Sequence, residues 1–210
     1  MDTLKILLTG DVMTGRGIDQ VLPHPGSPLL YEPHIRDARD YVRLAESKCG
    51  PIEHALACED LWGDALAEME RLAPDLRIVN LETAVTTCDE AWADKGIHYR
   101  MHPANAPCLT AAGIDCCVLA NNHLLDWGRE GLAETLRTLH AAGMHTAGAG
   151  ADEAAAWAPA VLPLAGGTGR VLVVACATES SGVPPDWAAT ERYSGVALLP
   201  DLSDASARRL

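Results

Sequence analysis

The residues best equipped for chemistry lie in Leu119-Ala120-Asn121-Asn122-His123-Leu124-Leu125-Asp126-Trp127-Gly128. Two amides, an imidazole and a carboxylate share one short stretch. Oxygen and imidazole donors of this kind suit divalent cations such as Mn²⁺, Fe²⁺, Zn²⁺ or Mg²⁺. A histidine among them can pass a proton to a leaving group. Two further stretches carry similar donors. Gly10-Asp11-Val12-Met13-Thr14-Gly15-Arg16-Gly17 offers the carboxylate of Asp11 and the guanidinium of Arg16, and Val79-Asn80-Leu81-Glu82-Thr83 offers Asn80 and Glu82. A carboxylate that bridges two cations fits a two-metal hydrolytic site, where one metal activates water and another steadies the leaving oxygen. Taken singly, each residue has a plainer role. Asp11 can cap the next helix, Glu82 can be a surface carboxylate, and Asn121 and Asn122 can form a turn. His123 can cap the following helix or bond a carbonyl. Asp126 sits where that helix would take its N-cap, the role its position favours. Convergence on successive strand ends is what points to a site.

The elements that must position these groups alternate. Residues 4–9, Leu76–Leu81 and 114–120 are apolar runs with the length of buried strands. Residues 35–46 and 62–73 have apolar positions at helical spacing, with Pro74 stopping the second. Residues 104–112 form a short helix closed by Gly113. Leu132, Leu136, Leu139 and Ala142 give a clear helical face after Gly128, closed by Gly143. Strands follow at 144–147, 170–177 and 195–199, and Ser203 caps a helix over 204–210. Residues 22–33, with four prolines, read as a long surface loop, and alternation over 97–103 predicts an edge strand bearing His98, Arg100 and His102. Strands alternating with helices imply an α/β fold with a mainly parallel sheet. In such sheets ligands bind outside the carboxyl ends of the strands, where Asp11, Glu82 and Asn122 all fall.

The chain has 210 residues, enough for one sizeable domain, and 48% of them are hydrophobic. With no Phe, packing rests on aliphatic residues and five Trp. A formal charge of −13 argues against nucleic acid and anionic membrane as general partners. Seven Cys without a Cys-x-x-Cys pair suit a reducing compartment, and Cys116 and Cys117, inside an apolar run, read as buried thiols. No signal peptide is visible, so a cytoplasmic location is expected. Residues 154–164 are too short, and too broken by Pro159 and Pro163, to form an integral membrane segment. The oligomeric state is left open.

Gly10-Asp11-Val12-Met13, Val79-Asn80-Leu81-Glu82-Thr83 and Ala120-Asn121-Asn122-His123-x-x-Asp126-x-Gly128 together resemble the signature blocks of CapA-type capsule-synthesis proteins. That family is associated with poly-γ-glutamate capsules and is similar to calcineurin-like metallophosphoesterases. The likeness runs from about Leu4 to the C-terminus. It implies one domain over residues 1–210 with a four-layer α/β/β/α metallophosphatase-like sandwich. It also implies a site holding Mn, Fe or Zn. Residue by residue, Asp11 would be the first metal carboxylate and Glu82 would stand near the bridging carboxylate, where the phosphoesterases have Asp. Asn122 would be the amide ligand and His123 the acid assisting the leaving group. Arg16, Asn80 and Arg100 are candidates for holding substrate. There are departures. Met13 stands where the phosphoesterases place a His, and no His follows His145. The resemblance therefore implies the N-terminal part of a longer product, whose later histidines complete the site. Because the family often works at the cell envelope, an envelope location is the alternative to the cytoplasm.

Two functions of different class follow. One is a metal-dependent hydrolase of phosphoester or γ-glutamyl amide bonds, acting on a small molecule or a poly-γ-glutamate-like chain. The other is a non-catalytic factor that binds or assembles capsule polymer around a degenerate metal site. A nucleotide-binding α/β domain is a third reading, against which stands the lack of a glycine fingerprint.

Overall fold

The computed structural model describes residues 3–167 and 169–208. In chain order its elements are β1 (Ile6–Val12), α1 (Gly17–Val21), α2 (Arg39–Cys49), α3 (Ala65–Leu72), β2 (Leu76–Leu81), β3 (Ala84–Val85) and β4 (Arg100–Met101). Then come α4 (Pro107–Ala111), β5 (Cys116–Val118), α5 (Gly128–Ala141), β6 (His145–Ala147), β7 (Ala149–Gly150) and α6 (Glu153–Trp157). The last are β8 (Ala160–Pro163), β9 (Arg170–Val173), β10 (Ala177–Thr178), β11 (Gly195–Val196), β12 (Leu198–Leu199) and α7 (Asp204–Ala207). The fold is α/β. Its main sheet is parallel and four-stranded, in the order β1-β2-β5-β6, and the other pairings are two-stranded.

Strand residues alternate between the two faces of a sheet, and here the two faces meet different partners. Val79, Leu81, Cys117 and Leu119 join a core with Leu109 of α4 and Leu132 and Leu139 of α5. Leu76, Ile78, Cys116 and Ala147 join a second core with Ala160 and Leu162 of β8, against which Val171 and Val173 of β9 pack. Helices therefore cover one face and an antiparallel strand pair the other. Strands buried on both sides read as continuous apolar runs, which explains the residues chosen at 76–81 and 114–120. β1 is an edge strand, and Leu8, in register with Ile78, is 70% exposed.

The register of β1 on β2 shifts once. Thr9 pairs with Val79, Asp11 pairs with Asn80, and Gly10 is left over between them. Such a bulge redirects the residue that follows it. β1 consequently runs to Val12, past the predicted end at residue 9, and Asp11 lies on the strand rather than on a turn.

Other boundaries move for local reasons. α2 begins at Arg39 instead of residue 35, because Asp37 Oδ1 accepts the Arg39 backbone N–H at 2.9 Å and fixes a turn there. α3 is confined to Ala65–Leu72, ended by Ala73 in a left-handed conformation just before Pro74. The edge strand predicted over 97–103 contracts to Arg100–Met101, paired with β3. The helix predicted over 204–210 is present as α7; Arg209 and Leu210 lie outside the described residues. Among the described residues no helix is long and apolar enough to cross a membrane.

Candidate functional site

Because β1, β2 and β5 are neighbouring parallel strands, Asp11, Glu82 and Asn122 leave the sheet at the same end. Glu82 follows β2 directly, and its backbone N–H donates to Val12 O at 3.0 Å, which sets it beside Asp11. The two carboxylates interact. Burial first, and then the adjacent Asp11, push Glu82 up to about 7. Two acids this close cannot both ionise cheaply without a cation between them.

A run of amides ties the three strand ends together. The His123 backbone N–H donates to Asn121 Oδ1 at 3.1 Å. Asn121 Nδ2 donates to Asn80 Oδ1 at 3.0 Å and to Leu81 O at 2.9 Å. Asn80 Nδ2 donates in turn to Asp11 Oδ1 at 2.7 Å. Each amide must be oriented this way, since Asp11 and Leu81 O can only accept. Asn121 is thus a buried strut as well as a turn former, and Asn80 orients Asp11.

His123 is buried and held from three sides. Its Nδ1 lies 2.7 Å from Asp126 Oδ2, and the Tyr99 ring stacks on the imidazole with centroids 3.8 Å apart. Asp126 also accepts the Tyr99 backbone N–H, and Lys95 Nζ stands 2.9 Å from its other oxygen. A carboxylate so placed assigns the Nδ1 proton, leaving Nε2 directed at Glu82 Oε1, 3.7 Å away. The expectation that Asp126 caps the following helix is corrected. The cap position of α5 belongs to Trp127, which makes no side-chain cap bond, while Asp126 is fully buried beneath His123. The burial of its carboxylate against Lys95 and the imidazole outweighs one capping bond.

Asn122 is half-buried on the turn that leads to His123. It lies beside Gly182, where an added Cβ would come within 3.4 Å of Asn122 Cβ. Arg16 bonds Glu32 at 2.6 Å and lies over the rings of Tyr41 and Tyr99, so it reaches His123 through Tyr99. Arg100 is buried; it donates to Cys88 O and Asp89 Oδ1 and stacks on Trp127 at 3.9 Å. Among the described residues no three His, Cys, Asp or Glu side chains converge closely enough to hold a metal ion.

Three members of the site escaped the sequence reading, Tyr99 among them. Lys95 lies 28 positions from His123 and carries no local signal. Asp126 as the partner of His123 had one: the two are three residues apart, within reach across a single turn. The chain around Lys95 is fastened to this turn by Trp92 N–H donating to Asp126 O at 2.8 Å and by Trp127 Nε1 donating to Tyr99 O at 3.0 Å.

Comparison with known proteins gives this arrangement a family. The family described as "Bacterial capsule synthesis protein PGA_cap" matches residues 5–209. A "Probable polyglutamine synthesis accessory protein" of Mycobacterium tuberculosis (strain H37Rv) is 48% identical over 200 residues, covering 95% of this chain and 52% of its own length. The "Capsule biosynthesis protein CapA" of Bacillus anthracis is 24% identical over 149 residues, covering 71% of this chain and 29% of its own. The chain spans about half the length of the mycobacterial relative. The strand ends that bear Asp11, Glu82 and His123 all fall within the matched residues, and the chain belongs to the bacterial capsule synthesis protein PGA_cap family.

Proposed function

We propose that this chain carries the metal-binding and proton-transferring part of a hydrolase that cleaves a phosphoester or γ-glutamyl amide bond in capsule polymer synthesis. The substrate is a small molecule or a poly-γ-glutamate-like chain. The observation that carries the reading is the Asp11–Glu82 carboxylate pair beside a histidine oriented by Asp126. The pair fits a divalent cation, because Glu82 retains a proton near neutrality that a cation would replace. Asp11 and Glu82 would hold Mn²⁺, Fe²⁺ or Zn²⁺, with Asn122 as an amide donor. When bound, the cation supplies charge stabilisation and an acidified water.

The protein's own groups do the rest. Asp126 keeps the Nδ1 proton in place, so a doubly protonated His123 gives its Nε2 proton to the departing oxygen or nitrogen and is left as the neutral ring protonated at Nδ1. Tyr99 covers one face of the ring and limits water there. Arg16, on the loop that follows β1, meets a substrate carboxylate or phosphate. Asn80 serves substrate through Asp11, and Arg100 through the turn at Cys88 and Asp89. The same reading takes β8 and β9, packed on the sheet face opposite the helices, as the start of a second sheet in a four-layer α/β/β/α sandwich.

A second reading is a capsule-polymer binding or assembly factor. It is favoured by the lack of three converging His, Cys, Asp or Glu side chains among the described residues. Calorimetric titration with Mn²⁺, together with phosphoester and γ-glutamyl amide assays, separates the two. On the hydrolase reading, Asp11→Ala and Glu82→Ala lose cation and turnover together. His123→Ala keeps the cation and loses about 10²–10⁴-fold in turnover. Cation binding without turnover on either substrate class selects the binding factor.

A further inference from the structure

Seven cysteines are present, and two of them are in an unusual relation. Cys58 Sγ and Cys108 Sγ are 2.6 Å apart, although the residues are 50 positions apart in sequence. That distance is well inside the contact of two non-bonded sulfurs and about half an ångström beyond the ~2.05 Å of a disulfide. The segments that carry them are fixed. Trp62 Nε1 donates to Cys108 O at 2.7 Å, and Cys58, Leu61 and Trp62 pack against the core that contains Cys108. Their neighbourhood is thus set by packing rather than by chance contact of surface side chains. Cys116 and Cys117, adjacent in sequence, face opposite sides of the sheet and belong to different cores.

We propose that Cys58 and Cys108 are a disulfide site, closed by exchange with a small-molecule disulfide. Cys58 is half-buried and Cys108 fully buried, so the reaction starts at Cys58. The Cys58 thiolate attacks one sulfur of the small disulfide, breaking its S–S bond and expelling one small thiolate. Cys108 then attacks the Cys58 sulfur of the mixed disulfide and expels the second. Two cysteine thiols are oxidised by two electrons, one small disulfide is reduced to two thiols, and the two cysteine protons end on the departing thiolates. Burial, followed by the neighbouring Cys58, pushes the Cys108 thiol up to about 12, so Cys108 remains a thiol until the first exchange has occurred. The loop so closed runs from residue 58 to 108 and includes Asn80, Glu82, Lys95 and Tyr99. The oxidised chain therefore holds the site's central segments in a covalent ring.

The test uses the whole chain incubated with glutathione disulfide. Free thiols are then alkylated under denaturing, non-reducing conditions, and the intact mass and peptide map are recorded. Two of the seven thiols should be protected, with the loss of two hydrogens and a single linked pair of peptides carrying Cys58 and Cys108. The melting temperature should rise on the order of 10 °C, reversibly with reductant, as expected for a loop of this length in a chain of this size. Cys58→Ala should abolish that rise. Alkylation of all seven thiols, a linked peptide bearing any other cysteine, or a mixed disulfide at Cys58 that never resolves overturns the proposal.

Discussion

Glu82 is the residue whose chemistry is most displaced by its surroundings. Its carboxyl titrates at about 7 in the folded chain against an ordinary 4.5. Between those values the folded state binds more protons than the unfolded one, so this group makes stability fall as pH rises through the window. Above about 7 both states are ionised and its contribution is level. Urea midpoints measured below and above the window should show the loss in the wild type and little of it in Glu82→Gln. If the pair holds a cation as proposed, the same displacement predicts that Mn²⁺ binding strengthens through neutral pH and releases protons, readable by calorimetry in two buffers of different ionisation enthalpy. Asp126 is the second sensitive residue. Asp126→Asn strips Lys95 of its buried counter-charge and should cost about 3 kcal/mol in chemical denaturation. Adding Lys95→Met should recover part of that loss, and additive losses would show that the pair is not coupled.

At the scale of elements, the first loop is held by close approach rather than by apolar mass. A Cβ on Gly15 would sit 2.9 Å from Arg100 N and 3.1 Å from Arg100 O, both backbone atoms that cannot yield. Gly15→Ala should therefore force the loop bearing Arg16 away from β4 and cost about 1–3 kcal/mol, measured by denaturant titration. Asp19 fastens the next part of the loop through Gly26 N–H at 2.7 Å and His102 N–H at 2.9 Å. What was legible in the sequence follows the same division. Leu76–Leu81 was legible to the residue, because a strand buried on both faces needs no tertiary information to identify it. The α5 face and its closure at Gly143 were legible for a similar reason, helical spacing with a residue suited to positive φ. The alternation over 97–103 yields only the two strand residues Arg100–Met101 because it has another cause: His98 and Arg100 are buried against Trp127. The strand-end donors were legible as types at positions. The links among them were not, since Asn80–Asp11 and Lys95–Asp126 are contacts between distant segments.

Across the whole molecule, the covering of the main sheet is uneven. β2, β5 and β6 are packed by β8 and β9 on one face, whereas Ile6 and Leu8 on the outer strand, and Leu4 just before it, remain open to solvent. An exposed apolar edge is prone to association, and the net charge of −13 opposes it by repulsion that salt screens. Raising ionic strength should therefore increase light scattering by the wild type. Leu8→Lys should suppress the increase and move the denaturation midpoint little, because the side chain it removes is mostly in water.

The leftover residue in β1 has a consequence for how this site tolerates change. Among the described residues nothing lies within 4 Å of a Cβ built on Gly10, and its backbone is not in the left-handed region. What matters at this position is that a residue is there, not which residue it is. Gly10→Ala should leave the Glu82 titration near 7 as it is, whereas excising the single codon withdraws Asp11 along the strand by up to ~3.3 Å and lets Glu82 relax toward ordinary carboxylate behaviour. The carboxylate pair is thus exposed to changes in chain length and nearly indifferent to the spelling of the residue that sets it.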